Sequence, residues 1–327
     1  MKNKKIVIAG GTGFIGQEMI KYFGKENTII ILTRQLNHVQ TNRNKYSSLT
    51  EEDLQHVKFI KWNAKDAEEW FKELENADLI INLAGKSVNC RYTEKNKKEI
   101  FDSRTDTVKA IGNAIAKCSN PPPLWINASS ATIYRHATDR PQDEFTGEIH
   151  DDFSVQVCKR WENTFFDQPT PQTRKVALRL AITIGPGGVL IPYFNLLKFG
   201  LGGKQGNGEQ MFSWVHIEDL CRAIDWIEDH KEIEGVYNCA SPNPVTNEKF
   251  MRCLRNATGK KFGLPAYEWM LKTGASLIGT EAELILKSRW VIPTKLLQSG
   301  FRFKYGQIED AFKDIINKVP RNQYELF

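Results

Sequence analysis

Four glycines fall within seven residues of the run Ile6-Val-Ile-Ala-Gly10-Gly-Thr-Gly-Phe-Ile-Gly16. Each costs backbone entropy on folding, so the cluster needs a reason. Gly11-Thr12-Gly13-Phe14-Ile15-Gly16 fits G-x-G-x-x-G, directly after an apolar run and directly before a helical pattern. In that setting one glycine allows a tight turn and another lets the backbone approach a pyrophosphate. The third lets the helix pack closely on the strand, with its first N–H groups facing the anion. The segment Gly10–Gly16 is thus expected to bind a dinucleotide.

The next apolar run, Thr28–Thr33, ends in Thr33-Arg34. An NAD site usually carries an acid about 20 residues past the glycines, to hold the ribose 2′-hydroxyl. A cation there would instead meet a 2′-phosphate, and arginine suits bidentate phosphate contact. Thr33 and Arg34 therefore point to NADP. Two further strand ends carry polar or small residues: Leu83-Ala84-Gly85, and Ser129-Ser130 followed by Tyr134. The serines could hold a substrate hydroxyl or carbonyl; equally they could cap the following turn.

These groups need a frame. Apolar, β-branched runs occur at Lys5–Ala9, Thr28–Thr33, Val57–Trp62, Leu79–Leu83, Leu124–Asn127 and Val176–Ile184. Helical spacing appears between them, at Gly16–Gly24, Glu68–Glu75 and Asp106–Ala116. Alternation of this kind predicts an α/β fold, a Rossmann-type doubly wound parallel sheet with helices on both faces. Ligands of such sheets bind outside the carboxyl ends of the strands. Gly10–Gly16, Thr33-Arg34, Leu83–Gly85, Ser129–Tyr134 and Ile184–Gly188 are therefore expected to line one groove. The glycine-rich stretch Gly185–Gly208 breaks the regularity. Beyond it short strands mix with helices, notably Ile217–Asp229, Asn247–Thr258 and Ala282–Lys287. The division expected is a dinucleotide-binding core over residues 1–185 and a smaller α+β substrate lobe over 186–327. Residues 212–240 are expected to return to the core, and Leu201–Gly203 and Trp214 to roof the groove.

Composition excludes several classes. The chain has 327 residues, 41% hydrophobic and 26% charged, as in an ordinary globular protein. No apolar run approaches the length of a membrane span, and the short N-terminal one reads as a first strand rather than a signal peptide. A cytoplasmic protein without membrane or nucleic-acid partners is expected. The net charge of +6 lacks the dense basic stripe of a nucleic-acid surface, and Lys95, Lys97 and Lys98 read as a solvated helix face. Six cysteines and six histidines are scattered without metal-ligand spacing, so no metal site is expected.

Several of these stretches resemble a family. Gly10-x-x-Gly13-x-x-Gly16 and Asn82-Leu83-Ala84-Gly85 are similar to the extended short-chain dehydrogenase/reductases. So are Ala128–Tyr134, Leu178-Arg179 through Gly185-Pro186, and Trp214–Leu220. Further runs resemble its epimerase-family subgroup: Arg91–Thr93, Asp102–Arg104, Cys158–Glu162, Phe199–Gly203, Gly206–Gln210 and Ser213–His216. Ala240–Val245, Pro293 and Gly300–Tyr305 are similar to that subgroup's C-terminal domain. The resemblance implies a Rossmann core with bound NADP(H) and a small-molecule substrate, nucleotide-linked sugars among the candidates. It leaves the substrate and the oligomeric state open.

The resemblance also exposes a departure. The superfamily's acid/base is a Tyr-x-x-x-Lys pair, stacked on one helix face by its spacing, where the ammonium lowers the phenol's pKa. None of the nine tyrosines has lysine four residues later. Aligned on Glu162, Ser154 stands where the tyrosine belongs and Cys158 where the lysine belongs; shifted by one residue, Val155 and Lys159 stand there, which restores the lysine but not the tyrosine. Ser130 and Tyr134 remain as catalytic candidates. Arg135 would make the pocket rim more cationic. Arg104 stands where these enzymes often have a structural asparagine, either as a buried ion-pair partner or as a substrate group. Two readings stay open: an NADP-dependent oxidoreductase or epimerase with a rearranged acid/base, and a non-catalytic NADP(H)-binding sensor or regulator.

Overall fold

The computed structural model of the chain describes residues 1–36, 49–66, 69–278, 281 and 283–325. Glu68 and Ala282, the first residues of two expected helices, lie outside them.

Seven strands form one parallel sheet: β1 (Lys5–Ala9), β2 (Thr28–Thr33), β3 (Val57–Lys61), β4 (Leu79–Asn82), β5 (Leu124–Ser130), β6 (Arg174–Leu180) and Gly235–Cys239. The last is the edge strand beside β6, and the order runs from it through β6, β5, β4, β1 and β2 to β3. Alternate residues of each strand serve opposite faces. Ile6 and Ile8 join Ile29, Ile31 and Ile81 in one core, under helices α1 (Phe14–Phe23) and Ile217–Asp229. Val7 and Ala9 join Ile30, Leu32 and Trp125 in the other, under α2 (Glu94–Lys117) and α3 (Phe153–Phe166). Covered faces explain why these strands read as unbroken apolar runs.

The stretch expected as one strand, Val176–Ile184, is two. β6 ends at Leu180, and Ile182–Gly185 turns away as β7 to pair with Trp214–His216 and with the short strand Gly187–Gly188. Of residues 212–240, then, only the helix and the edge strand join the main sheet, and Trp214–His216 does not. A separate core of Phe194, Phe212, Trp214, Phe250 and Phe312 holds the C-terminal part together. A strap, Ser288–Ile292, crosses back between the two parts. Gln142 N donates to Trp290 O at 2.7 Å and the Ser213 hydroxyl to Arg289 O at 2.6 Å.

Candidate functional site

A groove of about 1370 Å³ opens at the carboxyl ends of β1, β2 and β4. Gly10–Gly13, Thr33–Gln35 and Leu83–Ser87 line it, with side chains of α2 opposite. Buried asparagines at two strand ends fix its floor. Asn82 Nδ2 donates to Asn127 Oδ1 at 2.7 Å, and Asn82 Oδ1 accepts from Ala84 N at 3.1 Å. That bond holds the Leu83–Gly85 turn against the glycine loop.

The loop's glycines have different causes. Gly10 has φ +79°, and a Cβ there would stand 2.9 Å from Ala84 Cα. At Gly16 a Cβ would lie 2.3 Å from Gly11 Cα, so only glycine lets α1 start this close to the turn. Gly13 is unlike either. Its φ is −77° and its ψ 174°, open to any residue, and a Cβ would meet nothing nearer than Gly10 O at 3.8 Å. The fold leaves free space over Gly13, at the start of a helix that no side chain caps. That is a cradle shaped for an anion.

The other predicted cofactor residues divide. Thr12 and the exposed Arg34 line the groove, as does the buried Thr33. Phe14 faces away from it. Its ring packs on the Gly185–Gly188 hairpin, where a Cβ on Gly188 would come within 2.5 Å of it. Ile15 packs on the sheet core. Ile184–Gly188 thus buttresses the glycine loop from behind instead of lining the groove. Among the described residues none of the C-terminal part lines the groove, Leu201–Gly203 included, and Trp214 is fully buried, its indole donating to Asn243 O at 3.2 Å.

Beyond Leu83–Gly85 lies a buried polar network. Arg179 makes a fork to Glu162, Nε to Oε1 at 2.9 Å and Nη2 to Oε2 at 2.8 Å. The Ser129 hydroxyl donates to the same carboxylate at 2.5 Å. Arg179 Nη1 donates to the Tyr134 hydroxyl at 2.8 Å, which donates to Asn238 Oδ1 at 3.0 Å. Tyr134 is 2% exposed, so its hydroxyl is committed inside the fold. Burial pushes its phenol up, against the pull of Arg179. Ser130 is partly exposed, donates to Thr132 Oγ1 at 2.9 Å and accepts from Thr132 N at 3.2 Å. It caps the turn, and no residue of Ser129–Tyr134 lines the groove. Arg135 is held by Asp139 and Glu148, at 2.8 and 2.9 Å, which neutralise it.

At the place of the superfamily's acid/base pair, burial pushes the Tyr92 phenol up and Ser154 pulls it back, and Tyr92 packs on Phe153 with ring centroids 4.7 Å apart. Burial pushes the Cys158 thiol up to about 12, helped by Glu162. It is a neutral packing group at physiological pH. Sequence reasoning missed the place of Tyr92: it sits on a loop without periodicity, and only tertiary packing brings it to α3.

Among the described residues no cluster of histidine, cysteine and carboxylate side chains could hold a metal, and no helix is long and apolar enough to cross a membrane.

Comparison with known proteins agrees with this architecture. Residues 6–240 match the NAD dependent epimerase/dehydratase family, and residues 268–315 match a domain of unknown function, DUF1731. The epimerase family protein YfhF of Bacillus subtilis is 31% identical over 316 residues, covering 95% of this chain and 97% of its own. The crystal structure of human epimerase family protein SDR39U1 (isoform 2) with NADPH superimposes with a TM-score of 0.80 at 24% identity, over 95% of this chain and 99% of that one. A UDP-N-acetylglucosamine 4-epimerase from Methanobrevibacter ruminantium, in complex with UDP-N-acetylmuramic acid, gives 0.74 at 17% identity, over 97% and 98%. With a seven-stranded sheet, a glycine loop at its switch point and a matching C-terminal domain, the chain belongs to the epimerase family of short-chain dehydrogenase/reductase-like proteins.

Proposed function

We propose that this chain binds NADP(H) in the strand-end groove and uses it as an oxidoreductase or epimerase on a small substrate, a nucleotide-linked sugar being one candidate. The observation that carries the reading is the space over Gly13, which no packing in the protein demands. Backbone N–H groups of the loop would hold the pyrophosphate there. Arg34, exposed at the rim and facing the groove, would pair with the 2′-phosphate. Leu83–Gly85 would support the ring at the other end. The bound cofactor supplies or accepts a hydride. The chain's part is to orient the substrate and handle its proton. Ser130 is the more accessible of the two hydroxyls first considered for that part; for Tyr134 we propose a structural one, because its hydroxyl is already shared by Arg179 and Asn238.

The second reading, a sensor of NADP(H), is favoured by one observation: Ser154 and a neutral Cys158 replace the usual pair. A positioned acid/base contributes roughly 10²–10⁴-fold, so turnover on ordinary sugar-nucleotide substrates should be slow.

Calorimetry with NADPH and NADH tests the cofactor. A charge-assisted hydrogen bond contributes about 1.5–3 kcal/mol, so NADPH should bind at least about tenfold tighter, and Arg34→Asp should remove the preference. Equal affinities in the wild type would refute the role given to Arg34. Turnover of a carbonyl panel with NADPH separates enzyme from sensor.

A further inference from the structure

Single exposed apolar side chains are normal on a globular protein, but several together need a reason. Phe262 is 83% exposed, Phe199 and Trp269 are 68% exposed, and Leu264 and Tyr267 are more than half exposed. All five belong to the C-terminal part, and none lines the strand-end groove.

The backbone gathers them. Segments 199–206 and 262–267 run side by side: Leu264 N donates to Gly200 O at 2.8 Å, Gly203 N to Leu264 O at 3.0 Å and Ala266 N to Lys204 O at 2.9 Å. The two run parallel, with Gln205 level with Ala266. Their first ends therefore come together, which sets Lys198-Phe199 beside Lys260-Lys261-Phe262. At the other end Tyr267 leads into the helix Glu268–Ile278, with Trp269 in its first turn. A Cβ on Gly203 would stand 2.5 Å from the Leu264 carbonyl carbon, and one on Gly263 2.6 Å from that of Gly202. The segments are packed too closely to admit a side chain between them.

Charge singles out the partner. Residues 198–206 and 260–267 carry four lysines, Lys198, Lys204, Lys260 and Lys261, and no aspartate or glutamate. None of the four is in an ion pair among the described residues. Acids flank the far end, where Glu268 is held by Lys272 at 2.7 Å and Glu248 lies beside Gly208. Lys198 and Lys260 stand at the ends of the helices Leu190–Lys198 and Asn247–Ala257, whose last carbonyls favour a cation. No such need leaves two phenylalanines in water. A second copy paired about a two-fold axis would lay this basic patch on itself, and like charges oppose that. A single strand of nucleic acid stacks its bases on aromatic rings in a basic groove, which gives Leu264 no part. A bilayer surface takes every group present: anionic headgroups meet the lysines, the interface suits Tyr267 and Trp269, and the acyl boundary takes the phenylalanines and Leu264.

We propose that this patch docks the protein on an anionic bilayer surface, with Phe199, Phe262 and Leu264 entering the headgroup–acyl boundary and Lys198, Lys260 and Lys261 pairing with headgroup phosphates. A surface contact needs no membrane-spanning segment. The shortness of the apolar runs, from which the sequence reading excluded a membrane partner, therefore does not bear on it. The proposal stands independently of the cofactor.

Co-sedimentation with vesicles is the test, using phosphatidylcholine alone and phosphatidylcholine with about 30% phosphatidylglycerol, at about 0.1 M salt. The protein should bind the anionic vesicles at least about tenfold tighter than the neutral ones, and more weakly at about 1 M salt. Phe262→Ser, and separately the pair Lys260→Glu with Lys261→Glu, should each weaken binding about tenfold or more, with Tm unchanged within about 1 °C. Should Phe262→Ser melt early, Phe199→Ser serves in its place. Absence of binding to anionic vesicles by the wild type, equal binding to neutral ones, or unchanged binding in the folded variants overturns the proposal. So does wild-type protein that ignores vesicles but self-associates in sedimentation velocity, or binds a labelled oligothymidylate, through Phe262; those outcomes would assign the patch to a second copy or to nucleic acid.

Discussion

Two alanine substitutions in the glycine loop should have opposite consequences. At Gly16 the new Cβ would be forced to 2.3 Å from Gly11 Cα and 2.5 Å from its carbonyl carbon and oxygen. These are backbone atoms, so the turn itself must shift. Overpacking of this kind costs about 1–3 kcal/mol, reduced by the helix preference for alanine, about 0.5–1 kcal/mol. Unfolding entropy scales at about 2.1 cal/mol/K per residue, which for 327 residues gives about 0.7 kcal/mol/K. A net cost of about 0.5–2 kcal/mol thus lowers Tm by about 1–3 °C. At Gly13 the backbone is unstrained and the nearest atom is 3.8 Å away. Alanine is the poorer N-cap, by about 0.5–1 kcal/mol, but it restricts the unfolded chain by a similar amount. Tm should hold within about 1 °C. The methyl, however, occupies the space assigned to the pyrophosphate, and NADPH affinity should fall at least about tenfold, or about 1.4 kcal/mol. Thermal melts and calorimetry on both variants read this. Gly13→Ala protein that binds NADPH like the wild type would refute the argument that a ligand, not the fold, demands that glycine.

Glu162→Gln leaves Arg179 buried without its counter-charge, which typically costs 3–5 kcal/mol; Tm should drop by about 6 °C with NADPH affinity retained, as melts and calorimetry would show. Cys158→Ala should not change NADPH affinity, and the wild-type thiol, pushed up to about 12 by burial, should resist iodoacetamide at pH 8; rapid alkylation on intact-mass spectra contradicts this. His216 is 1% exposed and caps the helix Ile217–Asp229, its Nδ1 accepting from Glu218 N at 3.1 Å. Burial lowers its pKa from 6.5 to about 4. The unfolded chain therefore takes up a proton that the folded one refuses, so this contribution is complete above about pH 6.5 and is lost as pH falls toward 4, by up to about 3 kcal/mol. Denaturant melts across that window should show a shallower slope for His216→Asn, which keeps a good cap.

Where local signals act alone, the sequence is transparent. The apolar runs of β1, β2 and β4 have both faces covered, so their pattern marks them, and the glycine loop is legible because Gly10 and Gly16 meet backbone requirements. Val176–Ile184 misleads because the chain changes sheets at Ala181, whose N–H donates to Cys239 O at 3.0 Å; no residue type in that run records the switch. The outward half of the groove is legible for the same reason as the loop, since Thr33-Arg34 and Leu83–Gly85 directly follow strands. The inner end is not. Tyr134 stands beside strand-end serines in sequence, but its hydroxyl is drawn into a network with Arg179 and Asn238, whose Oδ1 lies on a strand 104 residues later. Tyr92 comes from a loop, and only tertiary packing brings its ring onto Phe153 of α3.

Hydrogen exchange of the whole protein, with and without saturating NADPH, tests the central claim most directly. Added protection is expected at Gly10–Gly13, Thr33–Gln35 and Leu83–Ser87, three segments that line the groove. Protection confined to residues beyond 190, or no change at any of the three, would contradict it.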